Sequence, residues 1–277
     1  MTLELATRLI KLTSVTPDDG GCMPLITGRL EKYGFTAVNL RFEDTDNLWI
    51  THGNTGPVLC LLGHTDVVPP GPLDKWQSDP FVPEIRDGYL YGRGAADMKG
   101  SIAAMVTAME RFIAAHPQHE GTLAMLLTSD EEGRATNGTI KVVNYLNEQG
   151  IRIKWCIVGE PSSQHQIGDT VKNGRRGSLT GHLTVHGVQG HVAYPERSEN
   201  PIHRLMPVLN ELCSTVWDHG NRFYTPTSFQ ISNINAGTGA DNVIPGTIKV
   251  QFNFRYSTEV TELQLKGKVE SLLMAQK

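Results

Sequence analysis

The stretch TLAMLLTSDEEG, residues 122–133, carries an almost unbroken apolar run into three consecutive carboxylates. An apolar run of that length suits a strand buried on both faces, as in a parallel sheet covered by helices. PVLCLLGH (57–64) and KWCIVGEP (154–161) repeat the pattern, and both read as further buried strands. Between them, KGSIAAMVTAMERFIAAH (99–116) spaces its apolar residues as a helix does, and GTIKVVNYLNEQG (138–150) reads as a helix closed by glycine. Strand, helix, strand, helix, strand predicts an α/β layer around a largely parallel central sheet.

The pattern changes after VKNGRRGS (171–178). LTGHLTVHG (179–187) alternates apolar and polar residues, as an antiparallel strand with one exposed face does. A helix is expected near 200–216, strands over about 228–236 and 247–256, and a last helix from about 259 to the end. The chain therefore divides into an expected first domain over residues 1–176 and a smaller α+β domain over 177–277, with a hinge near 173–177.

The 277 residues carry a net charge of −4, and the 25 basic residues are scattered, which argues against a nucleic-acid or membrane surface. Four cysteines lie far apart without a CxxC, a usage that fits a reducing compartment. Cys60 and Cys156, inside apolar runs, read as small buried hydrophobes. MTLELATRLIKL at the N-terminus is amphipathic and carries acid, unlike a secretory or membrane-spanning segment, so the cytoplasm is the expected location.

In an open α/β sheet, ligands bind beyond the carboxyl ends of the strands. GHTD places His64 and Asp66 there, YGRGAADMKG places Asp97 before the long helix, SDEEG places Asp130, Glu131 and Glu132, and GEP places Glu160. Each has an ordinary reading by itself: a structural His–Asp pair, an Asp97 helix cap, a Glu160 turn residue. At successive strand ends of one sheet they read together as a metal site, because such negative charge is tolerable beside cations. One imidazole with several carboxylates suits zinc, or cobalt or manganese, and thiolate ligands are absent from the set. The carboxylates outnumber the needs of one tetrahedral ion, which points to two ions about 3.5–4 Å apart with Asp97 as the candidate bridge. Glu132 then reads as a ligand and Glu131 as a general base, near the nucleophile without being tied to metal.

GHTDVVPPG, YGRGAADMKG, TSDEEG and GEPSS resemble the dinuclear zinc amidohydrolases, the family of carboxypeptidase G, aminoacylase and acetylornithine deacetylase. In the second half, VKNGRRGS, VHGVQGHVAYPERSENPIHRL, AGTGADNVIPG and VQFNFRYSTE are similar to its bacterial members that act on succinylated diaminopimelate. The resemblance implies a zinc-exopeptidase-like catalytic domain with an inserted α+β lid that also forms a homodimer interface. It implies two zinc ions, with cobalt able to replace one, and hydrolysis of N-succinyl-LL-2,6-diaminopimelate to succinate and LL-2,6-diaminopimelate for lysine and cell-wall precursors. His64 and Glu160 would hold one ion, Asp97 would bridge, Glu132 would hold the second, and Asp66 would orient His64. Glu131 would be the base, and the Asp97–Met98 peptide would be cis.

From the lid, His191 and Asn242 would reach into a partner's site, His191 toward the developing oxyanion. Arg175 and Arg255 would clamp substrate carboxylates, with Tyr194 lining the same pocket. On their own residues, the arginines read as surface or interdomain ion-pair partners. The resemblance also implies a second histidine ligand from near the C-terminus, and no candidate for it follows Arg255; His203 and His219 lie in or beside the second domain's helix. Two other functions share these features: a related N-acyl-amino-acid deacylase or dipeptidase, and a catalytically incomplete dimerisation fragment.

Overall fold

In the computed structural model, which describes residues 1–172, 174–237 and 239–275, the chain forms two compact units, Met1–Val171 and Lys172–Lys277. Asn173, part of the expected hinge, lies outside the described residues.

The first unit opens with helices α1 (Thr2–Lys11) and α2 (Cys22–Leu30), then a hairpin of β1 (Thr36–Phe42) and β2 (Thr45–His52). Strand β3 (Val58–His64), the short hairpin β4 (Glu84–Arg86) and β5 (Tyr89–Tyr91), and helix α3 (Gly100–Ala115) follow. Strand β6 (Thr122–Thr128), helix α4 (Thr139–Glu148) and strand β7 (Ile153–Val158) complete it. The five-stranded sheet has the order β1-β2-β6-β3-β7. β6 and β7 run parallel to β3, while β2 runs against both β1 and β6. Four strands therefore point one way and only β2 is reversed, so the sheet is largely parallel.

β6, the strand of the opening stretch, is central and buried throughout. On one face, Leu5, Leu9, Ile26, Ile102, Val106 and Met125 join α1, α2 and α3 to the sheet. On the other, Trp49, Cys60, Ala124 and Leu126 pack with Val142 and Leu146 of α4. Because all side chains of β6 enter one of these two layers, its sequence has no polar alternation.

β7 corrects an expectation. KWCIVGEP does form a strand, but an exposed one: Trp155 and Val158 are each 52% exposed, and Cys156 is exposed as well. Its far edge pairs with no strand among the described residues. An apolar run reports strand propensity, whereas burial depends on a position in the sheet that the run does not encode.

At the opposite end of the sheet from the strand termini that carry carboxylates, His52 and His119 share a hydrogen bond of 2.8 Å between Nδ1 and Nε2. Burial, and then the neighbouring His119, lower the His52 pKa. A base held neutral in the fold binds its proton more readily in the unfolded chain, so its stabilising contribution is present above the ordinary value of 6.5 and is lost as pH falls through the lowered one. Between pH 7.5 and 5.5 this group lowers stability, so in urea unfolding the stability difference between the two pH values should shift in favour of the acid side in His52→Gln relative to the wild type. An unchanged difference in the variant would assign the acid sensitivity elsewhere.

The second unit contains β8 (Gly177–His186), β9 (Gly190–His191), α5 (Pro201–Ser214), β10 (Ser228–Ala236), β11 (Val243–Ile244), β12 (Thr247–Tyr256) and α6 (Glu262–Met274). An antiparallel sheet of order β10-β12-β8 turns its apolar face to α5 and α6, around Phe229, Phe252, Phe254, Leu209, Leu212 and Leu265. Gly181 is required there, because a Cβ would lie 2.2 Å from the Phe252 ring. Among the described residues, no helix is long and apolar enough to cross a membrane.

Candidate metal centre

β3 delivers His64 at its carboxyl end, where the ring is 1% exposed. His64 Nδ1 is 2.9 Å from the backbone carbonyl of Asp66 and 3.5 Å from the Asp66 carboxylate. The firm hydrogen bond is therefore Nδ1–H donating to the carbonyl. In the neutral imidazole it leaves the Nε2 lone pair facing outward, the tautomer a metal ligand needs. Nε2 lies 3.1 Å from Asp97 Oδ1, 3.5 Å from Glu160 Oε1 and 4.0 Å from Glu131 Oε2.

Two overlapping groups have ligand atoms within 4.8 Å of one another: His64 with Glu131 and Glu160, and His64 with Asp97 and Glu132. The site thus gathers four carboxylates around one imidazole. Burial would lower the His64 pKa, but Asp66 and the surrounding carboxylates outweigh it and push it up to about 9. The Glu131 and Glu132 carboxyls are raised, first by burial and then by neighbouring charges, Glu160 and Asp66 among them for Glu131 and Asp97 foremost for Glu132. A cluster that draws a proton onto its imidazole and disfavours its own carboxylates fits divalent cations, which would neutralise the same charge.

The buried Asp66 carboxylate does more than face His64. It accepts hydrogen bonds from the backbone N–H of Glu131, at 3.2 Å to each oxygen, and of Glu132, at 3.1 Å. One residue therefore aims His64 through its carbonyl and fixes the Glu131–Glu132 turn through its carboxylate. A layer below, Thr65 donates to the buried Asp19 carboxylate at 2.7 Å, and Ser14 donates to the Thr65 carbonyl at 2.7 Å.

Asp97 does not cap the following helix: its φ/ψ of −113° and 96° are non-helical, no side-chain cap bond is present, and its side chain is 52% exposed toward the site. The Asp97–Met98 peptide is cis. Met98 is fully buried, and its sulfur accepts the His64 backbone N–H at 3.4 Å. Its methyl group occupies space where a Cβ on Gly63 or on Gly159 would come within 2.6 Å. The glycines before His64 and Glu160 thus make room for the residue after Asp97. Lys99, also fully buried, donates from Nζ to the carbonyls of Leu9 at 2.9 Å and Leu12 at 2.7 Å, tying this segment to the end of α1. Asp19 and Lys99 were not singled out from the sequence, and Met98 was named only for its peptide bond; Met98 and Lys99 lie inside the motif YGRGAADMKG, whereas Asp19 gave no signal.

The remaining expected site residues belong to the second unit. His191 on β9 is exposed, and its Nδ1 accepts the Ala193 N–H at 3.1 Å, so the neutral ring carries its proton on Nε2. Tyr194 lies 5.9 Å away between ring centroids, and the Asn242 carbonyl accepts the Val192 N–H at 3.0 Å. These three residues are together beside the β9–β11 ribbon. Arg255 sits at the far end of β12, opposite Ser178, and Arg175 precedes the start of β8 at that same end. From Thr247 to Arg255 the strand runs roughly 25 Å, at about 3.3 Å per residue. Arg255 therefore sits at one end of the three-stranded sheet, and the His191 group lies on a separate two-stranded ribbon whose strands adjoin β8 and β12 at the other end. Neither arginine forms an ion pair among the described residues.

The α/β fold and the one-histidine, many-carboxylate site define a metal-dependent hydrolase, and residues 60–271 match the profile of peptidase family M20/M25/M40. The chain belongs to this family. It is 61% identical over 272 residues to the succinyl-diaminopimelate desuccinylase of Acinetobacter baumannii strain SDF, covering 98% of this chain and 72% of that protein. The enzyme of the same name from Methylococcus capsulatus is 60% identical over the same shares. Among solved structures, an M20 metallo-carboxypeptidase from Sulfolobus solfataricus has a TM-score of 0.73 at 15% identity, over 99% of this chain and 75% of that one. The Bacillus subtilis YXEP protein, a dinuclear metal-binding peptidase of the M20 family, has a TM-score of 0.64 at 17% identity, over 99% and 69%.

Proposed function

We propose that this chain hydrolyses N-succinyl-LL-2,6-diaminopimelate to succinate and LL-2,6-diaminopimelate, in the supply of lysine and cell-wall precursors. The observation that carries the reading is the gathering of His64, Asp97, Glu131, Glu132 and Glu160 at one sheet edge, in a chain 61% identical to a desuccinylase. His64 and Glu160 would hold one divalent ion and Glu132 a second, with Asp97 between them; zinc is the expected metal, with cobalt as a substitute. Such ions would supply Lewis-acid activation of water and of the amide carbonyl. Glu131 takes the proton of the attacking water and returns it to the departing nitrogen. Asp66 keeps the His64 ring and the Glu131 turn in register throughout.

Arg255, at one end of the second unit's sheet, and Arg175, just before the strand that starts there, suit the carboxylates of the substrate, because guanidinium forks match them. His191 and Asn242 lie at the other end, so one unit cannot direct both sets into a single pocket. That separation supports a homodimer in which His191 and Asn242, with Tyr194, serve the site of the partner chain. Four free cysteines support a cytoplasmic setting.

Zinc titration of the metal-stripped chain at neutral pH, followed by rates on succinyl-diaminopimelate, acetylornithine and a dipeptide, tests the reading. Two tight zinc ions per chain and turnover concentrated on the succinylated substrate are expected. Preference for either other amide would favour a related deacylase or dipeptidase, and a dimer without turnover on all three would leave only the dimerisation role.

A further inference from the structure

Cys60 on β3 stands directly opposite Cys156 on β7 in the parallel register of the two strands. Opposed residues of neighbouring strands project to the same face, and a spacing of about 4.8 Å between strands falls inside the roughly 4.4–6.8 Å separation of Cα atoms that a disulfide spans. The Cys60 thiol itself is 3.7 Å from the Leu61 carbonyl, its one hydrogen-bonding partner among the described residues. The surroundings of the two thiols differ sharply: Cys60 is 1% exposed beneath α4, whereas Cys156 faces solvent on the edge strand. The ladder between them also shifts register at Val58/Leu59, just before the pair, a bulge that bends the outer strand there.

We propose that Cys60 and Cys156 form an oxidation site, at which a peroxide converts the two thiols to a disulfide that ties β7 to β3. The Cys156 thiolate attacks one peroxide oxygen, the O–O bond breaks, and Cys156 becomes a sulfenic acid while the other oxygen leaves as water after taking a proton from solvent. Cys60 then attacks the Cys156 sulfur, the S–O bond breaks, and hydroxide leaves as water with the Cys60 proton. One hydrogen peroxide is reduced to two waters, and two thiols are oxidised to one S–S bond. The chemistry needs an exposed, acidic thiol beside a resolving one. The neighbouring Cys60 holds the Cys156 thiol down to about 7, whereas Cys156, and then burial, push Cys60 up. Each cysteine lies four residues before a candidate metal ligand, His64 and Glu160, so the link joins the two strands that present them.

The test is mild hydrogen peroxide at neutral pH on the folded chain, then alkylation in denaturant and peptide mapping. A Cys60–Cys156 linked peptide, absent after dithiothreitol, is expected. Cys156→Ser should abolish the link and leave Cys60 fully alkylatable, and replacement of the other exposed cysteine, Cys213→Ser, should leave the link intact. Recovery of Cys156 unreacted, as a sulfinic acid, or in a disulfide between chains, with Cys60 still alkylatable, would overturn the proposal.

Discussion

Glu131→Gln should keep the metal content of the wild type and lose about 10²–10⁴-fold in turnover, the usual contribution of a positioned general base. The glutamate is in the right place for that role: its carboxylate is 4.0 Å from His64 Nε2, half-exposed, and held by a turn that Asp66 pins. Burial, and then the charges of Glu160, Asp66 and Asp97, raise its pKa despite the opposing pull of His64. Metal analysis of the variant decides the role. Wild-type turnover would remove Glu131 from the chemistry altogether. Loss of a metal ion would instead make it a ligand, an outcome the grouping of His64, Glu131 and Glu160 allows geometrically.

Asp66→Ala should weaken metal binding by roughly 10–100-fold, as expected when a group that orients ligands is lost. It should also destabilise the metal-free chain by roughly 1–3 kcal/mol, because two partly buried N–H groups lose their acceptor. Asp66→Asn keeps an acceptor oxygen without the charge, so its effect on stability should be smaller than that of alanine. Chelator competition measures the first quantity and urea unfolding the second. Burial would raise the Asp66 pKa, but His64 and the Glu131 and Glu132 N–H groups outweigh it and hold it below the ordinary 3.8. The folded chain therefore holds this proton less readily than the unfolded one. The stabilisation is present above the ordinary carboxylate value and disappears as pH falls through the lowered one. An alanine variant with wild-type metal affinity would show that the Asp66 carboxylate is not what sets the site.

The parallel core was legible because β3 and β6 are covered on both faces, and complete burial leaves an apolar run in the chain. β1 and β2 were harder to see: β2 reads TDNLWITH, in which buried Asn47 and Thr45 interrupt the apolar signal. β7 showed its strand character but not its exposure, since neighbours in space decide exposure. At the site, the acidic and imidazole residues declared themselves by chemical type. Their supports did not. Lys99 looks like a surface lysine until the end of α1 folds back and offers it two carbonyls. Asp66 suggested a carboxylate–imidazole pair, yet its carbonyl makes the shorter contact with the ring.

Met98 brings its own segment against two distant parts of the chain, Gly63 with the His64 amide, and Gly159. The spacing among His64, Asp97 and Glu160 is consequently gauged by one thioether side chain that belongs to none of them. A methyl group added at Gly63 or Gly159 would alter no ligand and no charge, yet overpacking of this kind costs about 1–3 kcal/mol. The candidate ligands would then be displaced from one another, so the precision of the site resides as much in two missing side chains as in the carboxylates that are present.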